Sequence, residues 1–409
     1  MMSFEEARET ILSHVDRLET ERVELLESLG RVTAEDIIAP FNLPSFDNSA
    51  MDGYAVRAAD CDSRASLPIE GYIPAGGVAM PIVAPGTAIK IMTGAPVPKD
   101  CDAVVPFEEA EEAGRQIVLK AKVSPGQHIR RAGEDVRRGD TVFPSQTPIR
   151  ASEINMLASL GRSFVDVYRR PVVAILSTGD ELVEPGQPLA EGQIYNSNSV
   201  MLAAAVREAG AIPLVLGIAR DDRECLRQKI GEGLAADALI TAAGVSVGDR
   251  DFVREILTEL GVKQILWKVN IKPGKSSSFG IYDGKPVFSL PGNPVSALIT
   301  FEELARPALM KMMGRRQFIQ SLLTATLQED LRKIPGKIFF ARVRLRIAKG
   351  KLLAWSAGHQ DTGFQRTICL ADGIALLPAE RGHFHAGEEV EVHLFSGTLN
   401  LAEAATGER

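Results

Sequence analysis

Strand and helix patterns alternate along residues 170–316, and this alternation constrains the fold more than any other feature of the chain. Residues 172–176 read Val-Val-Ala-Ile-Leu, a continuous apolar run typical of a strand covered on both faces. Apolar runs at 212–216, 238–241 and 264–267 follow, separated by helical patterns at about 199–208, after Asp221 and Asp222, and at about 251–260. Because such an order is typical of parallel strands with helical crossovers, it predicts a doubly wound, mostly parallel α/β sheet.

The same region ends in a hairpin, with strands predicted at 278–282 and 286–290, and in a long helix. Asn293 and Pro294 suit the N-cap and first position of that helix, which we expect to reach about residue 313 with Gly314 as its stop. Pro307 lies inside the helix and is expected to kink it.

Different patterns flank the sheet region. Ser3 and Glu6 form a capping-box pattern for an N-terminal helix that should end near Leu18. Between residues 40 and 148, short apolar runs alternate with turns rich in Gly and Pro, which predicts a β-rich module inserted into another domain. After residue 314, runs at 339–347, 352–355, 374–377 and 389–395 predict a small C-terminal β domain.

Charge and composition exclude several partners. The 409 residues carry 46 Lys and Arg against 53 Asp and Glu, a net charge of −7, whereas nucleic acid and anionic membranes require a basic surface. No apolar run approaches the roughly 18 residues that span a bilayer, and the acidic N-terminus lacks the pattern of a targeting peptide. We therefore expect a cytoplasmic protein with no nucleic-acid or membrane partner.

Cysteine and histidine spacing gives no metal motif. The four cysteines have no CxxC spacing, which excludes a zinc ribbon, an iron–sulfur site and a disulfide scaffold. Of the six histidines, His383 and His385 could share one face of a strand, but such a pair is more often a surface feature than a ligand set. We expect any metal to be hard and held by oxygen.

Each predicted strand of the parallel sheet is followed by glycine with a carboxylate, lysine or hydroxyl side chain, and ligands of such sheets bind at the carboxyl ends of the strands. Glycines let backbone N–H groups approach an anion. A pocket for phosphate or a similar tetrahedral oxyanion could be completed by Lys268, Lys272, Lys275 and Ser296. Four carboxylates would repel that anion unless a magnesium ion lay between them: Glu181, Asp221, Asp249 and Asp251.

A purely structural interpretation exists for each of these residues. Asp222 and Asp251 stand at predicted helix starts, where capping is the usual role, and lysines that follow strands are usually solvated. Residues 291–294 need only a tight turn and a helix cap. We favour function for the group as a whole, because structure alone does not explain the coincidence at successive strand ends. Segments around Asp52, Thr93 and Arg130 also combine charged and small residues, but spacing alone does not join them to the sheet.

Taken in order, the motifs closely resemble those of the MoeA-type molybdopterin molybdenumtransferases, a family that includes the gephyrin E domain. The motifs lie at residues 46–55, 91–98, 176–182, 195–199, 244–251, 271–275 and 290–297. The resemblance covers nearly the whole chain. It implies insertion of molybdenum from molybdate into adenylylated molybdopterin with Mg²⁺, release of AMP and the finished cofactor, and a molybdopterin adenylyltransferase as upstream partner.

The resemblance also implies an elongated homodimer of four-domain subunits. The domains would be an N-terminal α+β dimerisation domain (1–46 and 132–169), a β-rich inserted domain (47–131), the α/β molybdopterin-binding domain (170–316) and a C-terminal barrel-like β domain (317–409). The active site would lie where the sheet domain of one subunit faces the inserted domain of the other.

Site roles are carried over by motif. The resemblance implies catalytic roles for Asp52, Thr93, Glu181, Asp221 and Asp251, with Asp52 and Thr93 closing the site from the partner subunit. Metal ligands would be Glu181, Asp221, Asp249 and Asp251, and substrate would be bound by Arg130, Ser246, Lys268, Lys272, Lys275, Pro291, Asn293, Pro294 and Ser296, of which Lys272, Lys275 and Ser296 would hold molybdate.

The chain departs from the family pattern in its phosphate loop. The usual Thr/Ser-Ser-Gly-Gly is here Thr241-Ala242-Ala243-Gly244, so a hydroxyl is lost and Ala243 occupies a position where we expect a backbone conformation that needs glycine. Ser276 and the segment 361–363 also differ from the family pattern. These departures leave open a non-catalytic, molybdopterin-binding scaffold member, and the sheet domain alone would also suit an adenylyltransferase.

Overall fold

The computed structural model describes residues 1–78, 82–243 and 252–395. The chain divides into a larger unit, Met1–Ala34, Gln146–Ile154 and Phe164–Arg409, and a smaller unit, Glu35–Ser145 and Asn155–Ser163. Among the described helices, none combines the length and the apolar content needed to cross a bilayer. The four domain boundaries given above stay predictions.

A six-stranded sheet lies at the centre of the larger unit. Its strands stand in the spatial order Ile212–Ala219, Val172–Thr178, Ala238–Ala242, Lys285–Leu290, Ser278–Tyr282 and Lys263–Trp267. The first four are mutually parallel, and Ser278–Tyr282 runs antiparallel to both of its neighbours. The mostly parallel sheet predicted from the sequence is thus confirmed, with the predicted hairpin as its antiparallel part.

Both faces of this sheet are covered. Along the strand Val172–Thr178, Val173 and Ile175 belong to one buried cluster, whereas Ala174 and Leu176 belong to another on the opposite face, as the alternation of side chains along a strand requires. The helices that cover the faces are Ser197–Glu208, Arg223–Leu234, Phe252–Glu259, Pro294–Thr300 and Arg306–Met312. The continuous apolar run is explained by burial on both sides.

The long helix predicted to kink at Pro307 is interrupted by a π-helical turn. It consists of Pro294–Thr300, a π-helix Phe301–Ala305 and Arg306–Met312. Pro307 lacks the N–H that would continue the α-helical pattern, and the wider turn directly before it accommodates that loss. Gly314 follows with φ +77°, which confirms it as the stop signal.

The N-terminal helix Phe4–Ser13 has the predicted capping box, since Ser3 Oγ accepts a hydrogen bond from Glu6 N. It ends at Ser13 and not near Leu18. Phe4 is buried and contacts Phe340 edge to face, with ring centroids 5.1 Å apart. An antiparallel pair, Thr20–Glu24 with Phe164–Tyr168, completes this part of the unit.

A closed five-stranded barrel forms the C-terminal part of the larger unit. Its strands are Leu323–Leu327, Ile338–Ala348, Lys351–Ser356, Gly373–Leu377 and Glu389–Leu394. Closure follows because Ile338–Ala348 pairs both with Lys351–Ser356 and with Gly373–Leu377. A short pair, Leu331–Arg332 with His383–Phe384, and a helix, Arg366–Leu370, lie within its connections. The predicted barrel-like domain is confirmed.

The smaller unit is β-rich, as predicted. Its six-stranded sheet has the order Ala103–Pro106, Gly53–Val56, Ala88–Ile91, Ser66–Ile73, Gln116–Leu119 and Ala110–Ala113. Short pairs are Asn48–Ser49 with Ile129–Arg130, and Ile37–Ile38 with Thr141–Phe143. Its 3₁₀ turns are Ala58–Asp60 and Phe107–Glu109. The other helical elements described are the 3₁₀ turn Leu26–Ser28 of the larger unit and the helix Ala151–Ser159, which both units share.

Candidate active site

The first central strand ends in a turn that exposes Glu181. Gly179 has φ +144°, and a Cβ placed on it would lie 2.4 Å from Glu181 Oε2. The positive φ favours glycine at this turn, and a side chain there would also displace the Glu181 carboxylate. Asp180 Oδ1 accepts a hydrogen bond from Asp221 N at 3.2 Å, which ties the turn to the end of the neighbouring strand.

An open cleft of about 820 Å³ lies at the carboxyl edge of the sheet. Its volume is within the range of small-molecule sites. Loops after several parallel strands and one segment of the barrel region line it: Ser177, Thr178, Glu181, Tyr195, Asn196, Asn198, Ala242, Ala243, Ser276, Pro291, Gly292, Asn293, Pro294, Thr362, Gly363 and Gln365 are among its lining residues. The cleft is where a doubly wound sheet is expected to bind its ligand.

Asparagine side chains organise the cleft wall. Asn198 Nδ2 donates to the carbonyl of Gly292 at 2.7 Å, while the buried Asn198 Oδ1 has no hydrogen-bond partner among the described residues. Asn293 occupies the N-cap position of its helix, but its side chain makes no capping bond; its amide donates to Thr362 Oγ1 at 3.0 Å. Asn293 therefore occupies the predicted N-cap position without capping the helix through its side chain. That side chain instead connects the loop after the strand Lys285–Leu290 to the barrel region.

Ala243 has the left-handed backbone conformation expected of a glycine position. Its φ is +78°, and its N–H donates to the carbonyl of Leu290 at 3.1 Å. This hydrogen bond joins two neighbouring strand ends beside the cleft. The expectation that Ala243 stands where the backbone favours glycine is confirmed.

A second, basic cleft of about 570 Å³ adjoins the first, since Thr362 lines both. Lys272, Arg332 and Lys333 line it together with Phe339, His359 and Asp361. The pKa of nearby Lys337 is lowered by burial and then by the charges of Lys275 and Lys272. Such mutual repulsion among cations is relieved when an anion binds between them.

The remaining described sheet residues predicted to bind substrate, Lys268, Lys275 and Ser296, line neither cleft. Lys268 has φ +64° and holds its Nζ 5.7 Å from the Trp267 ring centre, and it lines neither cleft. Ser296 is buried in the helix Pro294–Thr300 and lines neither cleft, because its side of the helix packs into the core. The substrate-binding roles of these residues stay predictions.

The structure describes two of the four carboxylates predicted to bind the metal ion. Glu181 lines the main cleft, whereas Asp221 is exposed two residues beyond the neighbouring strand and lines neither cleft. Ser246, Asp249 and Asp251 lie outside the described residues. Within the described ranges, no third carboxylate or imidazole completes a three-ligand set with Glu181 and Asp221.

In the smaller unit, Asp52 and Thr93 form a local pair. Thr93 donates to Asp52 Oδ1 through both its backbone N–H and its hydroxyl, each at 2.7 Å. The backbone bond and then the hydroxyl bond lower the pKa of Asp52, so the exposed carboxylate is held in its ionised form. Arg130 is exposed on the strand Ile129–Arg130, paired with Asn48.

Sequence reasoning missed several lining residues. Asn198 belongs to a motif that was recognised, but no local signal assigned it a role. Thr362, Gln365, Arg332 and Lys333 come from the barrel region, and no spacing in the sequence connects them to the sheet. Only the packing of barrel and sheet could have identified them.

Fold and cleft together define a multidomain α/β protein with a polar small-molecule site at the carboxyl edge of its sheet. Residues 2–161 match the MoeA N-terminal region (domain I and II), residues 174–311 a probable molybdopterin binding domain, and residues 324–395 the MoeA C-terminal region (domain IV). The chain belongs to the MoeA family of molybdopterin molybdenumtransferases.

Similar proteins cover the chain almost completely. The molybdopterin molybdenumtransferase of Haemophilus influenzae is 37% identical over 405 residues, 98% of this chain and 100% of the relative. Molybdopterin molybdenumtransferase 2 of Mycobacterium tuberculosis is 38% identical over 90% of this chain and 94% of its own length. Two structures of the molybdopterin biosynthesis MoeA protein from Pyrococcus horikoshii have TM-scores of 0.84 and 0.82 at 33% and 30% identity, covering 97% of this chain and 100% of theirs.

Proposed function

We propose that this chain is a molybdopterin molybdenumtransferase that inserts molybdenum from molybdate into adenylylated molybdopterin, releasing AMP and the finished cofactor. The observation that carries the proposal is the alignment with transferases of that name over 98% of the chain, combined with a cleft of suitable size at the sheet edge. A non-catalytic scaffold member is not favoured, because the relatives are named as transferases.

The two clefts suit two ligands. The main cleft would hold the adenylylated pterin, and the open acceptor Asn198 Oδ1 suits an N–H group of the heterocycle. The basic cleft would hold molybdate, with Lys272, Arg332 and Lys333 supplying positive charge. Because Thr362 lines both clefts, the tetrahedral anion and the pterin would meet near that residue.

Mg²⁺ fits the donors that the main cleft offers. Glu181 presents an exposed carboxylate beside the cleft, and Mg²⁺ is commonly held by one or two carboxylates together with substrate phosphates and water. Glu181 would hold the ion from the cleft wall. Asp221, whose backbone N–H is bonded to Asp180, stays a proposed ligand together with Asp249 and Asp251. When bound, Mg²⁺ would neutralise charge on the phosphate of the adenylylated substrate.

The remaining elements of the proposal rest on family membership. We propose a homodimer in which Asp52, Thr93 and Arg130 close the site of the partner subunit, with the ionised Asp52 carboxylate held ready by Thr93. We also propose that the protein acts in the cytoplasm and receives its substrate from a molybdopterin adenylyltransferase.

Reconstitution tests the function directly. Purified protein is supplied with adenylylated molybdopterin, molybdate and Mg²⁺, and AMP release is measured. We expect Glu181→Gln to lower the rate by about 100-fold or more, as for loss of a group that stabilises developing charge. The matched control is Glu191→Gln, which removes an exposed carboxylate that does not line the cleft.

Two outcomes would contradict this proposal. If the wild type binds molybdopterin but releases no AMP, the protein is a scaffold member. If Glu181→Gln is as active as Glu191→Gln, the role given to Glu181 is wrong although the transferase function stands.

A further inference from the structure

Two histidines and an aspartate that line neither cleft converge at the barrel. The strands Leu331–Arg332 and His383–Phe384 pair antiparallel, with Leu331 opposite Phe384. Phe384 is 2% exposed and belongs to the barrel core. Because side chains alternate along an extended segment, His383 and His385 both lie on the side away from that core.

The distances match those between ligands of one metal ion. His383 Nε2 lies 2.9 Å and His385 Nδ1 3.8 Å from Asp330 Oδ2, and the three potential ligand atoms all lie within 4.8 Å of one another. Metal–nitrogen and metal–oxygen bonds of about 2.0–2.2 Å place neighbouring ligand atoms of a tetrahedral site roughly 3.3–3.5 Å apart. The two separations from Asp330 bracket that value, and the two imidazole nitrogens lie within 4.8 Å of each other, so side-chain shifts of about 1 Å suffice to bring all three atoms to one ion.

The aspartate is braced by the backbone around it. Its other oxygen, Oδ1, accepts a hydrogen bond from Ala386 N at 2.9 Å. Glu388 in turn accepts bonds from His385 N at 2.9 Å and from Arg381 at 2.6 Å. These contacts fix the loop that carries the histidines and orient the carboxylate, in the way that outer-sphere hydrogen bonds support the ligands of known metal sites.

We propose that Asp330, His383 and His385 bind a divalent first-row transition-metal ion, with Zn²⁺ as the reference ion. Two imidazole nitrogens and one carboxylate favour Zn²⁺, Ni²⁺, Co²⁺ or Cu²⁺ over Mg²⁺ and Ca²⁺, which prefer all-oxygen sites. Asp330 and His385 are about half exposed, so an ion can enter and water can complete its coordination. The site is separate from the carboxylates proposed for Mg²⁺ and does not depend on the proposed function.

A bound ion would stabilise the segment that supplies Arg332 and Lys333 to the basic cleft. It would connect Asp330, directly before the strand Leu331–Arg332, to the strand His383–Phe384. The strand Leu331–Arg332 is followed directly by Lys333. Arg332 and Lys333 line the basic cleft. The ion would add to the protein's own links between the two segments, which include the two-residue ladder and the hydrogen bond from Ala386 N to Asp330.

Metal binding by the full-length protein tests the proposal. Protein made without a histidine tag is stripped with chelator and dialysed against buffered Zn²⁺ in the presence of excess Mg²⁺, and bound zinc is counted by elemental analysis. We expect the wild type to bind one more zinc ion per chain than His383→Gln or His385→Gln does. Each variant should bind zinc at this site at least tenfold more weakly than the wild type. The control His14→Gln removes an exposed imidazole outside the cluster and should bind as the wild type does.

A second measurement guards against misfolding of a variant. Co²⁺ added to the stripped wild type should give visible absorption of a nitrogen-ligated ion, and Zn²⁺ should abolish that absorption. The same signal must persist in Glu181→Gln, which separates this site from the proposed active site. Equal zinc content in wild type, His383→Gln and His385→Gln, or displacement of the zinc by Mg²⁺, would overturn the proposal.

Discussion

Replacing Ala243 with glycine should stabilise the protein, although it removes a methyl group. Ala243 has φ +78° at the end of a central strand, and an L-residue in the left-handed region costs about 1–2 kcal/mol. Glycine relieves this cost but adds about 0.4–1 kcal/mol of conformational entropy to the unfolded chain. The net expectation is an increase of about 0.5–1 kcal/mol in the free energy of unfolding.

The neighbouring residue provides a matched control. Ala242 is 1% exposed and ends the strand Ala238–Ala242, where glycine has no conformational advantage. Ala242→Gly should lower the free energy of unfolding by about 1–2 kcal/mol, the sum of lost methyl burial and backbone entropy. The same chemical change at adjacent positions is therefore expected to act with opposite sign.

Urea denaturation followed by circular dichroism, with wild type and both variants in parallel, measures the two effects. A higher midpoint for Ala243→Gly and a lower one for Ala242→Gly, with unchanged slopes, is the expected pattern. If Ala243→Gly destabilises the protein as much as Ala242→Gly, the backbone at Ala243 is not strained and the reasoning fails.

Two further predictions concern stability. Gly314→Ala should lower the free energy of unfolding by about 2–4 kcal/mol, because φ is +77° and the new Cβ would lie 2.1 Å from Tyr168 Cδ2. The control Gly30→Ala, at φ +76° with no atom within 4 Å of its Cβ, should lose only the backbone part of that free energy. Equal unfolding free energies for the two variants would refute the clash. Glu153 accepts hydrogen bonds from the Arg150 guanidinium and N–H, and the guanidinium is the main cause that lowers its pKa to about 2. This lowered pKa contributes stability that is present above the ordinary pKa near 4.5 and lost as the pH falls through about 2. The stability difference between wild type and Glu153→Gln should therefore be about 1 kcal/mol at pH 6 and shrink as the pH falls below about 4.5; a difference that does not change with pH in urea titrations would contradict this.

Local sequence signals determined most of the architecture. The apolar run at 172–176 predicted a strand covered on both faces, and its alternate residues indeed enter two separate clusters. Gly314 and Asp222 marked a helix stop and a helix cap through chemistry confined to a few residues. Such signals can be read without tertiary structure because the interactions that they report connect neighbours in the chain.

The sequence also located one part of the candidate site well. Glu181, Pro291, Asn293 and Pro294 follow parallel strands, and all line the main cleft, because the carboxyl ends of parallel strands meet at one edge by construction. The same rule does not bring the side chains of Lys268 and Ser296 into either cleft, and their roles stay predictions. It fixes which loop a residue occupies, but not whether its side chain points into the cleft, onto a tryptophan ring or into the core.

Tertiary structure alone decided which distant segments meet. Thr362 joins the two clefts, Arg332 and Lys333 give the second its charge, and Asp330 meets a histidine pair more than fifty residues further along the chain. Closure of the barrel and its packing against the sheet determine these encounters. The sequence therefore determined the elements and their order, since these depend on local propensity and hydrophobic period, whereas the meeting of side chains between elements depended on long-range packing, which no local pattern encodes.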